Sequence, residues 1–146
     1  MNRHDIAVSL QSVNNQYFMS QINAVGRRKA SISRAFLSHG TGKIVINGKD
    51  YKEYITVPHL SDLIVLPFKV TETEGKFDVK ITVKGGGIKG QAEAIALSIS
   101  RALVKENAEN KPPLKAKEMM TRDARVVERK KPGLRKARKK TQFSKR

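Results

Sequence analysis

The spacing in this chain that most resembles a chemical site belongs to three glycines. In VKITVKGGGIKGQAEAIALSISRAL, residues 79–103, Gly85, Gly87 and Gly90 fit G-x-G-x-x-G. Between a strand and a helix, that pattern turns backbone N–H groups and the positive end of a helix dipole toward a phosphate. A dinucleotide site also needs a second strand after the helix and an acidic residue about 20 positions on to hold the ribose. Here the helix runs into KENAENKPPLKAK, which contains no apolar strand, and Glu106 and Glu109 fall in a polar linker. A Walker loop fails as well, because Gln91 and Ala92 stand where Lys and Ser/Thr are required. No nucleotide cofactor is expected. What remains is Gly85, Gly86 and Gly87 flanked by Lys84 and Lys89. Such a run lets the backbone approach either a nucleic-acid phosphate or a neighbouring piece of its own chain.

Other reactive groupings are sparse. His4, His39 and His59 are far apart with no carboxylate pair at metal-ligand spacing, so they read as surface or loop histidines and no metal is expected. Ser31, Ser33 and Ser38 have no candidate base in a recognisable motif, and the absence of cysteine removes thiol chemistry and disulfides. The acidic residues are scattered among lysines. Nothing argues for an enzyme or a small-molecule substrate.

The charge balance points to a polyanionic partner. Thirty basic against 13 acidic residues give a formal charge of +17 over 146 residues, and a free monomer repels itself at that imbalance. Residues 111–146 alone carry 15 basic and 3 acidic residues, net +12. The longest apolar run, LIVLPF at 63–68, is far too short to span a bilayer, and the N-terminus lacks the apolar region of a secretory signal, so a soluble protein is expected.

The elements that must position these residues lie before Pro112 and Pro113. AVGRRKASISRAFLSHGTGKIVING reads as two strands joined by a loop at Ser38–Lys43, with Arg27, Arg28, Lys29 and Arg34 gathered at the start of the first. KDYKEYI suits a short helix opened by Asp50 with Glu53 completing a capping box. VPHLSDLIVLPF suits another, with Pro58 in its first turn and Pro67 near its end. In FDVKITV, Phe77, Val79, Ile81 and Val83 face one way and Asp78, Lys80 and Thr82 the other. Ala92, Ile95, Ile99, Ala102 and Leu103 make one stripe of the helix after the glycines. The expected organisation is an N-terminal flexible segment over 1–22, a globular α+β domain over 23–110 and a basic tail over 111–146.

The tail carries the strongest signal. From Arg129 to Arg146, ten of 18 residues are Lys or Arg and none is acidic. Its few sizeable apolar residues cannot offset the entropy of ordering it, so alone it should be disordered. Pro132 and Gly133 oppose a helix. Arg122, Arg125, Arg129, Lys130, Lys131, Arg135, Lys136 and Arg138 are the candidate phosphate contacts, the arginines by bidentate pairing. Arg27, Arg28, Lys29, Lys84, the three glycines and Lys89 are the candidates in the globular part. Membrane attachment would want apolar or lipid anchors, and Phe143 and the terminal FSKR supply none.

GRRKASISRAF, GKIVING, ITVKGGGIKGQAEAI and above all TRDARVVERKKPGLRKARKKTQFSKR closely resemble family nine of the small ribosomal subunit proteins in its bacterial form, from about Asn23 to Arg146. The resemblance implies a four-stranded sheet with helices packed on it, a left-handed βαβ crossover and an extended basic C-terminal tail. It implies a cytoplasmic structural protein bound to small-subunit ribosomal RNA in the subunit head, beside other head proteins. It further implies that the tail reaches the peptidyl-site transfer RNA, with Lys145 and Arg146 as the contacts. Residues 1–18 precede the family's usual start, and Met19 begins MSQINAVGRRKA, so the leading segment is either an extension or the product of an upstream start codon. The alternative to a ribosomal constituent is a free nucleic-acid-binding protein of nucleoid or RNA-chaperone type.

Overall fold

The computed structural model describes residues 21–145; the segment expected over 1–22 lies outside them except for its last two residues, as does Arg146. Strands β1 (Ile22–Arg28) and β2 (Ser31–His39) pair antiparallel, with Arg28 opposite Ser31. The single strand expected through this stretch is therefore a hairpin. Its turn is Lys29–Ala30, and Lys29 takes a φ of 50°, a conformation usually left to Gly or Asn. Arg27 and Arg28 consequently end a strand instead of starting one.

Strand β3 (Ile44–Ile46) turns back at Asn47–Gly48 into the two-residue β4 (Lys49–Asp50). Both turn residues have positive φ, 49° and 85°, as a type I′ hairpin requires. This short strand makes the sheet five-stranded where four strands were expected, in the order β1-β2-β5-β3-β4. Helix α1 (Tyr51–Tyr54) follows without the expected capping box, because Asp50 makes no side-chain cap and Glu53 sits 3.8 Å from the Lys49 ammonium. Helix α2 (Pro58–Val70) admits Pro58 in its first turn and runs three residues past the buried Pro67. The chain then enters β5 (Phe77–Lys84), antiparallel to β2 and parallel to β3, so the sheet is mixed.

Helix α3 (Ile88–Glu106) lies across the sheet, and all five residues of its expected stripe are buried. Burying its Ile95, Ile99 and Leu103 contributes about 1.5–3 kcal/mol each. After a 3₁₀ turn (Ala108–Asn110), helix α4 (Lys111–Ala116) starts on Pro112 and Pro113 and inserts Leu114, fully buried, into the same core. From Lys117 to Lys145 the chain has no helix or strand.

The helices press on the small-residue face of the hairpin. β2 turns Ser31, Ser33, Ala35 and Leu37 inward and leaves Ile32 outside, settling a strand whose alternation is ambiguous by hydrophobicity alone. The Ser33 and Ser98 hydroxyls share a buried hydrogen bond of 3.0 Å. At Gly26 the approach is closest: a Cβ there would stand 2.0 Å from the Ala94 carbonyl oxygen and 2.6 Å from the Ser98 nitrogen. Because both obstacles are backbone, Gly26→Ala is expected to cost about 3 kcal/mol or more, read as a lowered urea midpoint of the RNA-free protein. A loss below about 1 kcal/mol would show that the helix can withdraw from the strand.

Candidate nucleic-acid interface

The glycine turn and the β1–β2 turn form one corner of the domain. Gly85 and Gly86 take positive φ, 75° and 69°, to reverse the chain between β5 and α3. A Cβ on Gly85 would lie 2.5 Å from the Ala30 carbonyl oxygen, and one on Gly86 2.0 Å from Ser31 Oγ. The Ser31 hydroxyl and the Gln91 side-chain amide both donate to the Gly85 carbonyl, each at 3.1 Å. These two glycines thus admit a neighbouring piece of the same chain. Gly87 differs: it has an ordinary φ of −107°, caps α3, and has open space around its missing Cβ. The exposed Arg27, Lys29, Lys84 and Lys89 surround this corner.

Arg28 is placed quite differently from its neighbours. It is 9% exposed, and its guanidinium points inward. Its Nε donates to Glu93 on α3, one Nη pairs with Asp123 at 2.9 Å, and the other donates to the Arg125 carbonyl at 2.6 Å. The sequence-based assignment of Arg28 to phosphate is therefore replaced by a clamp that joins β1, α3 and the first residues after Thr121. Lys117 to Asp123 border a cleft of about 220 Å³ whose other wall is Leu63 and Leu66 of α2 with Ala96 and Leu97 of α3. Met119 and Met120 pack against the core beside it.

Asp123 also accepts from the Arg125 side chain and backbone N–H, and chiefly that side chain holds its carboxyl well below the usual carboxylate range. Its contribution is therefore present above the ordinary carboxylate pKa and lost only as pH falls through the lowered value. Arg122, just before the clamp, and Arg129, Lys130, Lys131, Arg135 and Lys136 beyond it are exposed. Arg138 is exposed too, but forms a forked pair with Glu128 that lowers the pKa of that carboxyl. Lys145 is exposed, while Arg146 lies outside the described residues.

His39 pairs with Glu106 at 3.2 Å and lies against the Phe77 ring. Ser31 and Ser33 spend their hydroxyls on structural hydrogen bonds. Among the described residues no group of His, Asp and Glu is placed to hold a metal, and no helix is long and apolar enough to cross a membrane.

A small α+β body with a basic corner, continued by a cation-rich irregular segment, defines a polyanion-binding structural protein. The family model described as ribosomal protein S9/S16 matches residues 26–146. Similar full-length relatives include the small ribosomal subunit proteins uS9 of Porphyromonas gingivalis and Cytophaga hutchinsonii, each 52% identical over 128 residues. That of Christiangramia forsetii is 53% identical over the same length; each match covers 88% of this chain and 100% of the relative. The chain belongs to the ribosomal protein S9 family, of bacterial type.

If the clamp holds the start of the tail, Arg28→Met should speed tryptic cleavage after Arg122 and Arg125 in the RNA-free protein. Cleavage after Arg129 and beyond, where the chain is exposed in either case, should change little. Arg28→Lys should not restore protection, since an ammonium cannot serve both carboxylates and a carbonyl in the same fork. Equal cleavage of wild type and Arg28→Met would remove the clamp's role.

Proposed function

We propose that the protein is a cytoplasmic structural constituent of the small ribosomal subunit, holding ribosomal RNA through its basic corner and its C-terminal segment. It is not an enzyme. The observation that carries this reading is the family match through residue 146, which includes the whole of TRDARVVERKKPGLRKARKKTQFSKR. A free nucleoid or RNA-chaperone protein would share the charge but has no need of that specific terminus.

In this reading the RNA-binding body runs from β1 through α4, whose Leu114 is part of the core, the extended basic tail begins at Lys117, and the β3-to-β5 crossover is left-handed. Arg27, Lys29, Lys84 and Lys89 meet phosphates around Gly85–Gly87. Arg122, Arg125, Arg129, Lys130, Lys131, Arg135, Lys136 and Arg138 follow along the tail. The exposed pairs of Arg125 with Asp123 and Arg138 with Glu128 are weak enough to be exchanged for phosphate. Other proteins of the subunit head are its neighbours.

The tail's reach is set by the clamp. Counted from Arg125, 21 residues remain to Arg146, which span at most about 75 Å when extended. Lys145 and Arg146 at the free end are then left to touch the peptidyl-site transfer RNA. Contacts to its phosphates position without reading sequence.

Subunits reconstituted with the full chain should retain it through a moderate salt wash on a sucrose gradient. Deleting only Ser144–Arg146 should leave that retention nearly intact yet weaken peptidyl-site binding modestly and similarly for different transfer RNAs. Equal transfer-RNA affinity with and without the three residues would sink the role of the terminus; loss of the full chain from the subunit peak would sink the function itself. Gly87→Val, placed in open space at ordinary φ, should keep the melting temperature while weakening ribosomal RNA binding. Gly86→Val should lower the melting temperature as well. Unchanged RNA binding by a folded Gly87→Val protein would remove the glycine turn from the interface.

A further inference from the structure

The face of the sheet opposite α3 has no described element packed over it, and its side chains fall into rows across the strands. One row is Arg27, Ile32 and Lys84; the next is Val25, Arg34 and Thr82; the third is Asn23, Phe36, Lys80 and Val45. Every row carries at least one cation beside an apolar side chain. Ile32 and Val25 are 42% and 39% exposed, and Phe36 and Val45 are half-buried. Arg27, Arg34, Lys80 and Lys84 are exposed, and none of them makes an ion pair among the described residues.

Acidic side chains are few on this surface and stand at its margins. Glu53, Asp62, Glu72, Glu74, Glu93 and Glu106 are carried by the helices and the loop after α2. Asp50, paired with Val45, ends the third row on the far edge strand. Asp78 is the one carboxylate on the strands between, and its Oδ1 accepts the backbone N–H groups of Thr41, Gly42 and Lys43 at 2.8–2.9 Å. The edge of β1 is closed to another strand, because Arg101 and Lys105 of α3 donate to the Val25 and Asn23 carbonyls at 2.8 and 2.7 Å. Pairing by strand addition is blocked there, and what the sheet offers is its surface.

We propose that this open face is a second RNA-binding surface, taking a single-stranded or locally unpaired segment of ribosomal RNA across β1, β2 and β5. The proposal rests on the ribosomal reading above and adds a surface to it. The cores of protein–protein interfaces are depleted of charge, lysine included, whereas here cations interrupt every row. Phosphates can pair with Arg34 of β2 and with Lys80 and Lys84 of β5, each lysine lying diagonally about 7–8 Å from the arginine. Bases can rest on Ile32, Phe36 and the arginine planes between them, as in sequence-tolerant single-strand binding.

The test uses the full-length chain and a transcript of small-subunit ribosomal RNA, with affinity measured across a salt series. Arg34→Gln and Lys80→Gln together, which leave the corner lysines in place, should make the log–log salt slope shallower by about 1.4, with the RNA-free melting temperature unchanged. Ile32→Ser should weaken binding several-fold without changing the slope. A chain lacking residues 129–146 serves as the comparison. If that deletion flattens the slope and the double variant does not, the face is overturned while the ribosomal reading stands. If neither changes it, the face is overturned together with the phosphate contacts assigned to the tail. A double variant that binds RNA normally but no longer holds a neighbouring head protein in reconstituted subunits would assign the face to protein and overturn the proposal.

Discussion

The architecture depends on how closely one helix can lie against one hairpin. α3 meets β1 at Gly26 with backbone against backbone, and the adjoining contacts are Ser33, Ala35, Ala94 and Ser98. Nothing larger fits there, so the hairpin is built from small residues where α3 crosses it, and larger inward side chains, Arg28 and Leu37, come at its ends. That requirement decides which side of β2 is inside: the larger Ile32 and Phe36 are turned outward because the helix leaves no room for them. Covering one face in this way leaves the other as an uncovered surface where charge can be spent on a partner.

Charge is allotted on the same principle. Adjacent arginines, Arg27 and Arg28, point to opposite faces of β1, since side chains alternate along a strand. One is left for solvent. The other is drawn under the chain, where a buried guanidinium is tolerable only with its donors satisfied. Glu93, Asp123 and the Arg125 carbonyl satisfy it. Two of the carboxylates in an otherwise basic neighbourhood are therefore explained by a single cation. The resulting contact ties together positions 65 and 95 residues apart.

Elements governed by short-range periodicity were legible in the sequence. β5 alternates with period two, and α3 carries an apolar stripe, because each buries one face against the core and its spacing records that directly. The first hairpin was not legible, since Lys29–Ala30 carries no turn signal and the positive φ at Lys29 is imposed by the pairing of the flanking strands. β4 was readable in principle from Asn47–Gly48, but two residues leave no alternation to detect. The apparent capping box at Asp50 and Glu53 is overridden because Lys49 and Asp50 pair with β3. For the site, the cluster of cations was visible while the distinction between Arg27 and Arg28 was not. It depends on a carboxylate supplied from beyond α4, and no local pattern announces that.

Fixing the root of the C-terminal segment sets where and how it leaves the body. A cation-rich segment free at both ends of its attachment would sample a wide volume, and much of its binding energy would offset the entropy lost on threading into RNA. Arg28 fixes Asp123 and Arg125 against the rigid corner formed by β1 and α3. The direction of departure is then set by the fold, and the residues beyond have no helix or strand of their own. The Arg125–Asp123 pair lies at the point where folding ends and exchangeable electrostatics begin. Its carboxylate serves the buried guanidinium on one side and an exposed one on the other. Arg125 can therefore be drawn to a phosphate without undoing the clamp, because Arg28 keeps both Asp123 and the Arg125 carbonyl when that side chain leaves.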